Sequence, residues 1–329
     1  MAAPTNSKTT DEIRLVSWNI RMDALSDSIT VDETIAGLPT ELPSDPESYF
    51  PNTAERPWSE RRIAVANTLL FDRADLMGLQ EVTKRQLDDL EILLGNDYAN
   101  IGVGREDGKE DGEYSPIFYR KSAAKLIEWD TFWLSDTPFE PSKYPGAGNT
   151  RICTTAQFKG KSGIFTYMNT HLDHLSDEQR GYGLSLILHR AKYEAIKTKR
   201  PVFVTGDFNS RPDQLGYQVI TGQVEPLELN STFTEKYSWS DQQEKEFVFK
   251  DLIAETVPER RSGDYATFTG FADPDGTDSY SRIDFVMAGS NGGWKSNSFR
   301  VAGTLTDNGL WSSDHKPVIS DLTIYKGRY

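Results

Sequence analysis

The segment Gly206-Asp207-Phe208-Asn209 directly follows the apolar run Val202-Phe203-Val204, so a carboxylate and a carboxamide stand two residues apart where a buried strand ends. Side chains alternate along a strand, which puts these two on one face. The construction recurs. Val16-Ser17-Trp18-Asn19 closes an early hydrophobic strand, Leu79-Gln80-Glu81 another and Met168-Asn169-Thr170-His171 a third, while Ser313-Asp314-His315 precedes the last. Five strand ends each deliver metal-binding or proton-handling groups.

The spacing of apolar runs sets the architecture. Residues 1–12 read as a flexible tail and 13–20 as the first strand. Residues 23–57 collect five prolines among many acids and read as a long loop shaping a substrate mouth. Ser59 is expected to cap a helix carrying Ile63, Ala66 and Leu70. A strand at 74–79 and a helix at 83–94, closed by Gly95, follow. Between 98 and 167 the pattern changes to strands, at 101–104, 117–120, 125–134, 151–158 and 164–169. The acidic, Gly-rich 106–113 reads as a hairpin tip and 136–149 as a second mouth loop. A helix at 177–197 leads to the central strand. Further helices are expected at 212–221 and about 245–255, with strands at 266–269, 282–287, 299–304 and 318–324. Each half thus runs from strand-and-helix units into antiparallel strands. The predicted fold is α/β, one four-layer α/β/β/α sandwich over 13–329 with two packed mixed sheets flanked by helices.

A net charge of −14 over 329 residues argues against generic affinity for long nucleic acid, which Lys and Arg supply by neutralising phosphates. It leaves room for a short anionic substrate in a cleft with local cations. The single cysteine, Cys153, excludes an intrachain disulfide and fits a reducing, intracellular compartment, with the cytoplasm expected. No apolar run approaches the ~20 residues that span a bilayer. Asn230-Ser231-Thr232 matches a glycosylation sequon and reads as an ordinary surface turn.

Six motifs in order, Ser17-Trp18-Asn19, Leu79-Gln80-Glu81-Val82, Asn169-Thr170-His171-Leu172-Asp173-His174, Gly206-Asp207-Phe208-Asn209, Ser281-Arg282-Ile283-Asp284-Phe285 and Ser313-Asp314-His315, carry a resemblance. From about Ile13 to Tyr325 the chain resembles the endonuclease/exonuclease/phosphatase (deoxyribonuclease I-like) superfamily. The His171-Leu172-Asp173-His174 run is similar to the deadenylase-related branch. Apurinic endonucleases carry an acid two positions after the first-motif asparagine. Arg21 stands there instead, with Asp23 four positions beyond Asn19.

The resemblance implies a phosphoesterase using Mg²⁺ or Mn²⁺, to which oxygen ligands are suited. Glu81, Asn19 and Asp314 would hold the metal. Asp207 would orient and deprotonate the attacking water, Asn209 would donate to the phosphorane oxygens and His171 would bond a non-bridging oxygen. His315, oriented by Asp284, would bind or protonate the phosphoryl group. Strand-end Asp and Asn also cap turns, so these positions singly carry a structural alternative. Arg120 and Arg151 are candidate phosphate contacts or surface ion pairs, and His174 is a substrate contact or a supporting histidine. His189, inside a helical pattern, reads as structural. Trp133 and Tyr144, with Tyr49, Phe50, Trp58 and Phe139, would stack bases or belong to the core.

Three functions are weighed. The first is a phosphodiesterase acting on single-stranded RNA or short oligonucleotides from a 3′ end. The second hydrolyses a small phosphorylated metabolite, sugar or lipid headgroup. The third is an inactive binding protein on the same scaffold.

Overall fold

The computed structural model describes residues 10–51, 53–240, 247–271 and 280–326. The first strand, β1 (Thr10–Asn19), begins within the expected tail, because residues 10–17 pair antiparallel with the C-terminal strand β13 (Val318–Tyr325). Residues 1–9 lie outside the described residues.

Two sheets form the centre. The first has seven strands in the order β10 (Arg261–Gly263), β12 (Trp294–Val301), β13, β1, β2 (Leu76–Gln80), β4 (Ile117–Arg120) and β3 (Tyr98–Ile101). The second has six, in the order β5 (Lys125–Trp133), β6 (Ile152–Gly160), β7 (Gly163–His171), β8 (Val202–Asp207), β11 (Asp284–Gly289) and β9 (Phe249–Asp251). Parallel pairs β1–β2 and β7–β8 sit inside otherwise mainly antiparallel sheets.

Alternation along each central strand divides the core into three. On β1, Ile13 and Leu15 face the second sheet, while Val16 and Trp18 face helices α2 (Trp58–Phe71) and α3 (Lys84–Leu94). On β8, Phe203 faces the first sheet, while Val202 and Val204 face the 22-residue α4 (Asp177–Thr198), where Leu184, Ile187 and Ala191 cover them. The result is the four-layer sandwich, helices outside and two sheets within.

The sheets are bolted together by polar groups. Asn169 on β7 donates from Nδ2 to the carbonyls of Leu79 (2.7 Å) and Pro116 (2.9 Å) in the first sheet, and Gln80 Nε2 returns a bond to Asn169 Oδ1 (2.7 Å). Thr205 Oγ1 on β8 donates to the same oxygen at 3.1 Å. Opposite them stands Gly78, where a Cβ would lie 2.1 Å from Thr205 Oγ1 and 2.4 Å from Asn169 Oδ1.

Several expected boundaries move. A capping box between Thr30 and Glu33 starts α1 (Val31–Ala36) inside the expected loop 23–57. Pro57, not Ser59, is the N-cap of α2, and Ser59 Oγ instead donates to Asp27 Oδ2. The helix expected at 212–221 shortens to α5 (Leu215–Ile220), and α6 (Ser231–Lys236) is capped by the sequon residue Asn230. Where a helix was expected at 245–255, β9 precedes the single turn α7 (Leu252–Glu255), and 245 and 246 lie outside the described residues. Residues 266–269 form only isolated bridges, from Phe268 to Ser281 and His315. Among the described residues no helix is long and apolar enough to cross a membrane.

Candidate active site

Strand ends of both sheets converge on one cleft of about 560 Å³. In the second sheet, register places His171 beside Asp207 and Asp207 beside Asp284, so three adjacent strands present a row of ionisable groups. In the first, β1 ends at Asn19 and β2 at Gln80, and Glu81 follows in the left-handed region (φ 59°). Asn209 also has positive φ (45°), and its N–H closes a turn on Asp207 Oδ1 at 2.8 Å. Such conformations cost energy, and Glu81 and Asn209 both carry one where they line the cleft.

The two sheets meet at Asn19. Its Nδ2 lies 3.0 Å from both Glu81 Oε1 and Asp207 Oδ2, so one amide joins the carboxylates across the cleft. The other Glu81 oxygen accepts from the Met22 N–H at 3.1 Å. Asn209 Nδ2 donates to Leu172 O (3.0 Å) and meets His171 Nε2 (3.1 Å). With Nε2 accepting this bond the imidazole proton sits on Nδ1, which has no hydrogen-bond partner among the described residues and lies 3.7 Å from Glu113 Oε2, while Nε2 also stands 3.4 Å from Asp207 Oδ2. Burial and the Arg151 cation drive His171 down to about 3, so its ring is neutral.

His315 has the opposite electrostatics. Burial opposes its charge, but Asp284, bonded to Nδ1 at 2.9 Å, and Asp207, 3.7 Å from Nε2, outweigh burial and hold it up at about 10. Thr267 Oγ1 accepts from the Ile283 and Asp284 N–H groups (both 3.0 Å), fixing the start of β11. Burial, then the Asp284 charge, pushes the Asp207 carboxyl up, and burial does the same to Asp314.

Beneath the floor, buried Arg61 donates to the carbonyls of Ile20 (2.8 Å), Ser312 (2.9 Å), Arg21 and Met22 (both 3.2 Å). It ties the first motif to the last. Ser313 Oγ, donating to Asn19 O at 2.7 Å, and Trp18 Nε1, donating to His315 O at 2.9 Å, add further ties.

Glu81 and Asp314 both line the cleft, and their carboxylate oxygens fit Mg²⁺ or Mn²⁺; Asn19 turns Nδ2 to Glu81 while its Oδ1 accepts from the Arg21 N–H, so it orients that carboxylate. Asp207, Asp284 and His315 also hold donor atoms within 4.8 Å of one another. There the imidazole is cationic and bonded to Asp284, which suits a phosphoryl-binding group better than a metal ligand.

Of the expected substrate contacts, Arg151 and His174 line the cleft. Arg151 is buried, with Nε and Nη1 making no hydrogen bond among the described residues, Nε 3.8 Å from Asp173 Oδ2 and Nη2 3.4 Å from His174 Nδ1. The other three do not reach it. Arg120 pairs with Asp75, and antiparallel pairing of β4 with β2 puts it at the opposite end of the sheet from Glu81. Trp133 is buried and its Nε1 donates to Arg105 O (2.7 Å). Tyr144 packs on Tyr182 (4.9 Å) and donates to Glu178 (3.0 Å), and burial with that carboxylate lifts its hydroxyl to about 12. Among the other aromatics, Trp58 is fully buried and Phe139 stacks on Phe233. Asp23 pairs with Arg85, and His189 bonds Tyr237 O.

Sequence reasoning missed Asn149, Arg180, Arg211, Gln214, Phe268 and Glu113, which also line the cleft. Glu113 arrives through the bridge between Val82 and Tyr114, a long-range pairing with no local signal.

No curated protein gives a significant match to this chain. An endonuclease/exonuclease/phosphatase structure from Bacteroides vulgatus is 30% identical, with a TM-score of 0.72 over 95% of this chain and 99% of that one. A mannosyl-6-phosphatase from Bacteroides thetaiotaomicron is 26% identical, with a TM-score of 0.68 over 94% and 99%. The human Nocturnin catalytic domain, solved with sulfate, shares the fold at 17% identity and a TM-score of 0.60 over 94% of each chain. The model of the Endonuclease/Exonuclease/phosphatase family matches residues 16–315. This chain belongs to that family and is a metal-dependent phosphoric ester hydrolase.

Proposed function

We propose that the protein is a divalent-metal-dependent phosphatase of a small phosphorylated metabolite, foremost a sugar phosphate. The observation that carries this reading is the rim of the cleft. Asn149, His174, Arg211 and Gln214 offer polar groups suited to hydroxyls, and Phe268 is the only phenyl or indole ring lining it among the described residues. Of the aromatics the oligonucleotide reading would use for stacking, Trp58, Trp133, Phe139 and Tyr144 are engaged elsewhere, and Tyr49 and Phe50 do not line the cleft. The likeness to a mannosyl-6-phosphatase supports the same choice.

Glu81 and Asp314 are the residues that would hold Mg²⁺ or Mn²⁺, with Asn19 orienting Glu81; the ion when bound neutralises phosphoryl charge and lowers the pKa of water. Asp207, fixed by the Asn209 N–H on one oxygen and Asn19 on the other, orients the attacking water and accepts its proton. Its raised pKa brings it towards the range where a base works at neutral pH. The desolvated guanidinium of Arg151 and the cationic His315 bind phosphoryl oxygens, and the free Nδ1–H of His171 donates to a third. Asn209 acts chiefly by holding His171 and Asp207, since its amide donors are directed at Leu172 O and His171 Nε2.

A substrate panel with Mg²⁺ and Mn²⁺ tests the reading. Hexose 6-phosphates should show higher kcat/KM than bis-(p-nitrophenyl) phosphate and single-stranded RNA. Preferred cleavage of RNA from its 3′ end would overturn it in favour of the nuclease.

A further inference from the structure

The Arg21 guanidinium stands between two carboxylates with unequal hold on it. Its Nε and Nη2 reach both oxygens of Glu55, at 2.9 and 3.3 Å, whereas Nη1 is 3.7 Å from Glu81 Oε2, beyond hydrogen-bond reach. The Arg21 backbone is pinned in the left-handed region (φ 58°). Its N–H donates to Asn19 Oδ1 at 3.0 Å, and its carbonyl accepts from Gln86 Nε2 (2.8 Å) and Arg61 Nη2 (3.2 Å). Choice between the carboxylates therefore rests with the side chain alone.

A two-pronged guanidinium–carboxylate pair outlasts a single long contact, so Glu55 wins. Glu55 comes from the segment before α2 and does not itself line the cleft, whereas Arg21 and Glu81 both do. Each Glu81 oxygen has one donor, Asn19 Nδ2 or the Met22 N–H, which leaves acceptor capacity on both. A guanidinium released from Glu55 would move onto those lone pairs and repel any other cation approaching them.

We propose that Glu55 is a positioning residue for the metal site. By gripping Arg21 it keeps the guanidinium off Glu81 and leaves that carboxylate available to a divalent ion. The inference rests on Glu81 being the metal carboxylate of the proposed function.

The test is calorimetric titration of the chelator-stripped full chain with Mn²⁺ alone, read without substrate. The proteins are wild type, Glu55→Gln, Arg21→Ala, their double variant and Glu81→Gln. Thermal unfolding of each stripped protein checks that it is folded. Glu55→Gln should weaken Mn²⁺ binding by roughly tenfold, Arg21→Ala should match or exceed wild type, and the double variant should return to within about twofold of Arg21→Ala. An unchanged affinity for Glu55→Gln overturns the inference. So does an equal loss in both backgrounds, which would mean that Glu55 acts through its own charge. If Glu81→Gln loses Mn²⁺ while Glu55→Gln keeps it, only this inference fails. If Glu81→Gln binds like wild type, the metal assignment and this inference fail together.

Discussion

Asp207 touches both sheets' chemistry at once, through Asn19 on one side and His171, Asp284 and His315 on the other. Replacing it by Asn keeps the shape and removes the carboxylate proposed as the base. Asp207→Asn should lower kcat by roughly 10²–10⁴ while leaving the Mn²⁺ affinity close to wild type. Steady-state kinetics beside a metal titration checks this, and a rise in KM alone would make Asp207 a binding group. His315 gives a second readout. In metal-free protein its imidazole should stay protonated well above pH 8, and Asp284→Asn should bring the NMR titration down towards 6.5. The folded value is the raised one, so the stability from this pair is present in full below about 6.5. It is lost as pH rises through about 10. The polar residues of the floor could be read from sequence because each ends or begins a strand whose apolar alternation is clear. Arg120, Trp133 and Tyr144 could not be placed, because which end of a sheet or which layer a side chain joins depends on pairing partners far along the chain. Arg61 is the converse case. It sits inside an ordinary helical pattern, and only the tertiary fold brings four carbonyls to its guanidinium.

At the scale of elements, long and strongly apolar segments were legible. β5 and α4 each differ from their expected spans by one residue. Short pieces were not. The six residues of α1 are set by the Thr30–Glu33 capping box and by Arg62, which donates to Ile29 O and Thr30 O, rather than by periodicity. The three-residue β9 exists only because β11 pairs with it. Asn169 shows the same limit at a motif position. It sits at a strand end like the catalytic candidates, yet its amide joins the sheets. The glycine opposite it makes that join possible, so Gly78→Ala should destabilise the protein by about 1–3 kcal/mol or more. Urea unfolding measures the loss, and unchanged stability would mean that the sheets can separate locally at little cost.

At the scale of the molecule, four layers were readable from the order of strand-and-helix units, and the charge of −14 was readable by counting. The distribution of that charge was not, since Arg21, Arg151, Arg180 and Arg211 come to one cleft from separate parts of the chain. The strand orders hold a further consequence. In the first sheet, central β1 has parallel β2 on one side and antiparallel β13 on the other. In the second, central β8 has parallel β7 and antiparallel β11. The halves repeat one plan of pairing directions, and their central strands end at Asn19 and Asp207, which are hydrogen-bonded to each other. By register Gln80 lies beside Asn19 as His171 lies beside Asp207, and Glu81 follows one residue on. The cleft thus lies between flanks of like topology and unlike chemistry, a carboxamide beside Asn19 where the other flank sets an imidazole beside Asp207, which gives a phosphate ester two distinguishable sides to enter between.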